Sequence, residues 1–118
     1  DMLTYWGYSK AAQLGGNETP GLWMAGNTLR LLERASDDLI HIDLTACKGY
    51  DTGLSHAQAV ACPTLFILGE RDIMTPVRSA QKLISAVAKT QVCVLEGSGH
   101  SLMMERPDAL LDALISIV

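Results

Sequence analysis

Residues 62–72 of the chain read Cys-Pro-Thr-Leu-Phe-Ile-Leu-Gly-Glu-Arg-Asp. After Thr64 the run is apolar at every position, and Gly69 ends it. The run is too short for a helix, and the lack of alternation favours a strand covered on both faces, as in a parallel sheet. This stretch therefore predicts an α/β fold.

The residues that follow predict a helix, a second strand and a last helix. Thr75-Pro76 is a typical helix start, with Thr75 as the capping residue. The apolar stripe of this helix comprises Val77, Ala80, Leu83, Ile84 and Val87. A second strand is predicted at residues 92–95, and a last helix begins at Pro107 and includes Val118. Two strands that one helix joins are expected to be parallel, with a right-handed crossover.

The residues before Pro63 show a looser, helical pattern. A loop is predicted at Gly15, Gly16, Asn17, Pro20 and Gly21, followed by a helix over residues 23–34. Residues 39–44 are ambiguous, and Asp43 could cap a short helix that runs towards Tyr50. We therefore expect two parts: a helical cap-like segment over residues 1–62, and a strand-helix-strand-helix unit over residues 63–118.

Composition and charge exclude several classes of protein. The chain has 118 residues, 48% of them hydrophobic and 19% charged, which fits one ordinary domain rather than a disordered tail. The formal charge of −4 gives no basic patch for phosphates, so nucleic-acid binding is not expected. No apolar run reaches the ~18 residues of a membrane span. A membrane-embedded protein is therefore not predicted.

The cysteines and two of the histidines indicate neither a disulfide framework nor a metal site. Cys47, Cys62 and Cys93 are odd in number and lack CxxC spacing, so we expect reduced cysteines packed as small hydrophobes in a cytoplasmic protein. His41 and His56 have no paired ligand spacing and are expected to be surface histidines or histidines satisfied by ordinary hydrogen-bond partners. No metal and no cofactor are predicted.

Two polar side chains follow the two predicted strands. Asp72 lies in the loop after the first strand, and His100 lies in Gly97-Ser98-Gly99-His100-Ser101 after the second. In a parallel sheet both loops leave the same edge, where ligands bind and catalysis takes place. A carboxylate there can hold an imidazole in one tautomer and make it a general base. The plainer alternative is that Asp72 caps the next helix and His100 is a turn residue.

These two loops resemble those of the α/β-hydrolase-fold family. Residues 62–72 with Thr75-Pro76 look like the family's penultimate strand and acid loop, and residues 97–101 with Glu105 and Pro107 look like its histidine loop and final helix. The resemblance implies that Asp72 is the acid and His100 the base of a catalytic triad. Ser101, Glu105 and Pro107 match positions that are common in the family but take no chemical step.

The segment 1–62 resembles, more weakly, the helical cap domain that covers the active site in many members of the family. The resemblance implies that some of its large side chains form the core of the cap or line the pocket. These side chains are Trp23, Met24, Leu31 and Tyr50.

The family's nucleophile motif, G-x-S-x-G, does not occur in the chain. The nearest match is Gly7-Tyr8-Ser9-Lys10-Ala11, which makes Ser9 a weak candidate. Residues 1–6 form a poor buried strand, and Gly15-Gly16 would break the following helix early. The other interpretation of Ser9 is a polar cap or loop residue.

The resemblance therefore implies the C-terminal portion of a serine hydrolase that acts on ester or related bonds. Alone it would be inactive, since it supplies the acid and the base but no nucleophile. A small-molecule substrate is expected for the full-length enzyme, and the missing N-terminal half or a second copy is expected to cover exposed strand edges. The alternative is a non-catalytic binding or interaction module with the same fold. A nucleotide-binding half-domain is disfavoured, because no G-x-G-x-x-G is present.

Overall fold

The computed structural model describes residues 2–16, 18–19, 21–36 and 38–117. Asn17 and Pro20 of the predicted loop, Asp1 of the segment before Ser9, and Val118 of the predicted last helix lie outside the described residues. The helices before the first strand are α1 (Met2–Trp6), α2 (Lys10–Gln13), α3 (Met24–Arg34), α4 (Leu39–Gly49) and α5 (Gly53–Gln58). They are followed by β1 (Thr64–Gly69), α6 (Val77–Ala86), β2 (Thr90–Leu95), α7 (Leu102–Glu105) and α8 (Pro107–Ile115).

The two strands form a parallel pair, as the sequence predicts. Thr64 lies opposite Thr90 and Gly69 lies opposite Leu95, so both strands end at the same edge. Helix α6 connects the strands and contacts β1, while α8 contacts both strands. The predicted α/β fold with two parallel strands and flanking helices is confirmed.

The expectation that the first strand is covered on both faces is wrong. Most of β1 is only half-buried, and Val92 and Val94 of β2 are exposed. Among the described residues the sheet has only two strands, and α6 and α8 leave part of its surface open. A continuous apolar run indicates that both faces of a strand favour apolar contacts. It does not indicate whether the described residues include helices that cover both faces.

Two predicted helix starts differ from the structure. Helix α6 begins at Val77 with Pro76 at the N-cap position, and no side chain caps it. The hydroxyl of Thr75, which lies one residue before the N-cap position, instead donates a hydrogen bond to the carboxylate of Asp72. Helix α4 begins at Leu39, so Asp43 lies inside the helix rather than at its start.

A small core joins the N-terminal helices to the end of the chain. Tyr8, Ala12 and Met24 are buried together, and Met104 of α7 packs against them. The Tyr8 hydroxyl lies 2.7 Å from the Thr28 hydroxyl, which ties this segment to α3. Met24 fulfils the expectation of a core residue within segment 1–62. Three other predicted core or pocket residues are exposed instead: Trp23, Leu31 and Tyr50.

The cysteines are free, but the prediction that all of them pack as small hydrophobes is wrong. Cys47 and Cys62 are exposed, and Cys93 in β2 is half-buried. Within the described ranges, no helix has the length and apolar character needed to cross a membrane.

Candidate active site

The carboxyl ends of β1 and β2 bring Asp72 and His100 into direct contact. His100 Nδ1 lies 2.8 Å from Asp72 Oδ2. The Asp72 side chain is 7% exposed, whereas the His100 side chain is 41% exposed. The carboxylate is thus held inside the loop, and the imidazole reaches outward from it.

Asp72 is fixed by donors from its own loop. Its Oδ1 accepts hydrogen bonds from the backbone amides of Met74 and Thr75, both at 2.9 Å. Its Oδ2 accepts a hydrogen bond of 2.7 Å from the Thr75 hydroxyl as well as facing His100. A carboxylate with this many donors has one orientation, and that orientation places Oδ2 against the imidazole.

The same contacts keep Asp72 ionised. Burial by itself raises the pKa of Asp72, but the hydrogen bonds from the Thr75 amide, His100 and the Thr75 hydroxyl, together with the charge of His100, outweigh it. The pKa of Asp72 therefore lies below its ordinary value. At neutral pH the group facing His100 is an anion that can only accept hydrogen bonds.

This anion determines the tautomer of His100. Because the ionised carboxylate of Asp72 has no proton to donate, the proton between His100 and Asp72 is assigned to Nδ1. Thr75 Oγ1 lies 3.2 Å from the same nitrogen and can accept a share of that proton. In the neutral imidazole Nε2 then carries the free lone pair, which is the atom a general base uses.

The acid loop and the histidine loop are joined by hydrogen bonds that their backbone amides donate. The Arg71 amide donates to the carbonyl of Ser98 at 2.8 Å, and Ser98 is fully buried. The Gly97 amide donates to Oε2 of Glu70 at 3.0 Å, and Gly97 has a φ of +71°, which favours glycine. The two loops that carry Asp72 and His100 are thus hydrogen-bonded to each other directly.

Ser9 lies at the start of α2 and acts there as a helix cap. Its Oγ accepts a hydrogen bond of 3.2 Å from the Ala12 amide, and the residue is 5% exposed. Its own amide faces Glu105. None of the hydrogen bonds between described residues joins Ser9 to His100, so the structure does not bring the weak nucleophile candidate together with the pair.

Two residues that the sequence analysis names make contacts in the site that it does not predict. Thr75 was assigned to the helix start, although a hydroxyl placed shortly after a loop carboxylate can also bind it. Glu105 was assigned no chemical step, yet it is a buried carboxylate that binds the loop before His100. The match to a common family position singled out Glu105, but the sequence carries no signal of its burial or of its backbone partners.

A cleft of about 540 Å³ adjoins these loops. Its lining residues are Tyr5, Tyr8, Ser9, Lys10, Ala11, Gln13, Arg71, Ile73 and Gly97. It therefore lies between the N-terminal helices and the two loops, and neither Asp72 nor His100 lines it. Among the described residues, no group of three or more His, Cys, Asp or Glu side chains is arranged to hold a metal ion.

Comparisons with known proteins point to one family. The family model described as TAP-like protein matches residues 35–116. The monoacylglycerol lipase ABHD6 of Bos taurus is 39% identical over 62 residues, which cover 49% of this chain and 18% of the lipase. The (R)-3-hydroxydecanoyl-ACP:CoA transacylase of Pseudomonas putida is 35% identical over 69 residues, 58% of this chain and 23% of the transacylase.

A solved structure agrees with these sequence matches. The serine hydrolase CarC, described as involved in carbazole degradation, superposes with a TM-score of 0.53 at 28% identity. The match covers 58% of this chain and 26% of CarC. The fold and the paired loops thus define an α/β-hydrolase-fold protein. Within that class, the chain belongs to the TAP-like family, and it spans less than a quarter of the length of the curated relatives it matches.

Proposed function

We propose that the chain is the C-terminal portion of a serine hydrolase that acts on ester or related acyl bonds, with Asp72 as triad acid and His100 as triad base. The observation that carries the proposal is the contact of 2.8 Å between His100 Nδ1 and a buried, ionised carboxylate. That contact leaves His100 Nε2 free on a partly exposed ring. A solvated histidine with no fixed partner has nothing that holds its proton on Nδ1 and leaves Nε2 unprotonated.

In the proposed reaction a serine from outside this chain is the nucleophile. Its hydroxyl proton passes to His100 Nε2 while its oxygen attacks the acyl carbon, and the imidazolium that forms is stabilised by Asp72. The same proton then passes to the leaving alkoxide, which departs as an alcohol. Water then attacks the acyl group on the serine and gives a proton to His100 Nε2. That proton passes to the serine oxygen as the acyl group leaves as an acid, and the serine is restored.

The absence of a nucleophile motif leads to the second part of the proposal. We infer that the chain alone does not turn over esters, because the members of a triad act as a unit and lose most of their effect when one is missing. The capped, buried hydroxyl of Ser9 supports this inference. The segment 1–62 is proposed as cap domain, and residues 63–118 as the end of the catalytic core.

The substrate class is proposed from the relatives alone. One relative is named as a lipase for a monoacylglycerol and another as a transacylase between acyl carrier protein and CoA. Both names describe the transfer of an acyl group from an oxygen or a sulfur atom. We therefore propose a small acyl ester or thioester substrate, with transfer to water as the first candidate and transfer to a second thiol or alcohol as the other.

We further propose that more polypeptide of the same enzyme covers the open apolar surface of this chain. Val92 and Val94 on β2 and Leu111, Leu114 and Ile115 on α8 are exposed. The chain's small share of its relatives' length supports polypeptide of the same enzyme as the occupant. Light scattering of the chain tests this: a concentration-dependent dimer would assign the surface to a second copy instead.

The location of the protein is proposed as the cytoplasm, because its cysteines are free. Fractionation of cells that express the natural gene tests this. Recovery of the protein with membranes or in the medium would contradict it.

The central experiment compares the chain with the longer natural reading frame. We expect a G-x-S-x-G motif upstream of Asp1 and hydrolysis of a p-nitrophenyl acyl ester by the full product. Asp72→Asn and His100→Gln in that product are expected to lower kcat by a factor of about 10³ or more. The exposed His41→Gln is the matched control and is expected to leave kcat unchanged.

Two outcomes would contradict the proposal. A full product whose serine is replaced, and which binds acyl ligands without turnover, would favour the binding module. Turnover by the chain itself that Ser9→Ala abolishes would return Ser9 to the nucleophile position.

A further inference from the structure

A single buried carboxylate joins the start of the chain to the histidine loop. Glu105, at the end of α7, is 4% exposed. Its Oε1 accepts a hydrogen bond of 3.1 Å from the Gly99 amide. The Ser9 amide donates to the same carboxylate, with 3.2 Å to each oxygen.

The carboxylate is therefore solvated by backbone amides in place of water. A buried charge without such partners is strongly unfavourable, so the two amides and the carboxylate are held together. Gly99 fits between them because it lacks a side chain: a Cβ there would lie 2.7 Å from Glu105 Oε1 and 2.8 Å from the carbonyl carbon of Tyr8. The close approach of the Glu105 carboxylate to the backbone thus requires glycine at position 99.

This arrangement fixes the backbone on both sides of His100. Gly99, which precedes it, binds Glu105. Ser101, which follows it, donates its amide to the carbonyl of Gly7 at 3.0 Å. The imidazole is thus bracketed by a contact to Glu105 on one side and a contact to Gly7 on the other, and neither contact involves Asp72.

We propose that Glu105 is a positioning residue that aims His100 at Asp72 by holding the amides of Gly99 and Ser9. It acts through the histidine loop and touches no reacting atom. The inference deepens the proposed function, since it matters for catalysis only if His100 is the base. The inference predicts the orientation and the tautomer of the His100 ring, and both can be measured without an activity assay.

The test is nitrogen NMR of the histidine rings in the 118-residue chain. In the wild type we expect neutral His100 as the Nδ1–H tautomer, while the exposed His41 and His56 show the Nε2–H form that free imidazole favours in water. Glu105→Gln puts an amide group against the backbone donors and is expected to shift His100 towards the Nε2–H form. The exchange protection of the Gly99 amide is expected to fall roughly tenfold or more.

Two matched variants separate positioning from general destabilisation. Glu33→Gln removes a carboxylate from the exposed surface of α3 and is expected to change neither signal. Ser9→Ala removes the hydroxyl cap but keeps the amide that binds Glu105, so it is expected to lower stability and leave the His100 tautomer unchanged. A tautomer change in Ser9→Ala equal to that in Glu105→Gln would overturn the proposal, because any loss of stability would then suffice.

A wild-type measurement covers the case in which Glu105→Gln does not fold. The amides of Ser9 and Gly99 share one acceptor, so hydrogen exchange of the wild type should show the same free energy of opening for both. Different opening free energies would overturn the proposal. If the two amides open together but neutral His100 is in the Nε2–H form, the proposed role of His100 is contradicted instead, so the two failures are distinguishable.

Discussion

Gly69, the last residue of β1, lies directly against the carbonyl oxygen of Gly99 in the histidine loop. A Cβ at Gly69 would collide with that oxygen and lie 2.8 Å from the carbonyl oxygen of Ser98. The neighbouring atoms are backbone and cannot rotate away. The absence of a side chain at the end of one strand thus sets how closely the two loops of the site approach.

The first prediction follows from this contact. Gly69→Ala should push the loops apart, lower the free energy of unfolding by about 1–3 kcal/mol and weaken the contact between Asp72 and His100. Gly49→Ala is the matched control, since nothing lies near a Cβ at the end of α4. Urea denaturation measures both, and equal stability of the two variants would contradict the close approach.

The second prediction concerns acid stability. The pKa of Asp72 is lower in the folded chain than in the unfolded chain, so the native state binds this proton more weakly. The stabilisation is therefore complete above the unfolded value of about 4 and is lost as the pH falls through the lower folded value. Asp72→Asn should remove this part of the pH dependence. Urea titrations from neutral to strongly acid pH should show the wild-type advantage shrinking below about pH 4; a constant difference would be the wrong outcome.

The third prediction distinguishes the contribution of the Thr75 hydroxyl from that of the branched shape of its side chain. Thr75→Val keeps the branched side chain but deletes the donor to Asp72 Oδ2, and should cost about 1 kcal/mol. It should also raise the pKa of Asp72, because one of the bonds to its ionised form is gone. Thr75→Ser retains the donor and should restore most of both quantities. Carboxyl-carbon NMR of Asp72 measures the pKa, and an unchanged value in Thr75→Val would show that the hydroxyl has no effect.

The fourth prediction concerns the small core under the histidine loop. Tyr8→Phe leaves Thr28 Oγ1 and the Met24 carbonyl without the phenol, and should lower the free energy of unfolding by about 1 kcal/mol. Tyr5, which is exposed, provides the control Tyr5→Phe with no expected change. Thermal unfolding compares the two. Equal midpoints would mean that the buried hydroxyl adds nothing to the attachment of α3.

The fold and the juxtaposition of Asp72 with His100 were predictable because both depend on local order along the chain. An apolar run ended by glycine, repeated once after a helix, specifies parallel strands, and parallel strands send their loops to one edge. The contact with Glu105 was not predictable, because it joins residues 96 positions apart and depends on burial. The exposure of Trp23, Leu31 and Tyr50 was missed for a related reason: hydrophobicity states what a side chain prefers, not whether a partner is there.

The link between Ser9 and Glu105 also has a kinetic consequence. Bringing these residues together closes a loop of nearly the whole chain, and the entropy cost of closure grows with the logarithm of loop length. Contacts of such high sequence separation slow folding, whereas the strand pair and its helix need only nearby residues. We therefore expect the sheet to form before the histidine loop is ordered. Until Glu105 reaches Ser9, the chain carries both Asp72 and His100 while the backbone that precedes His100 lacks one of its native contacts.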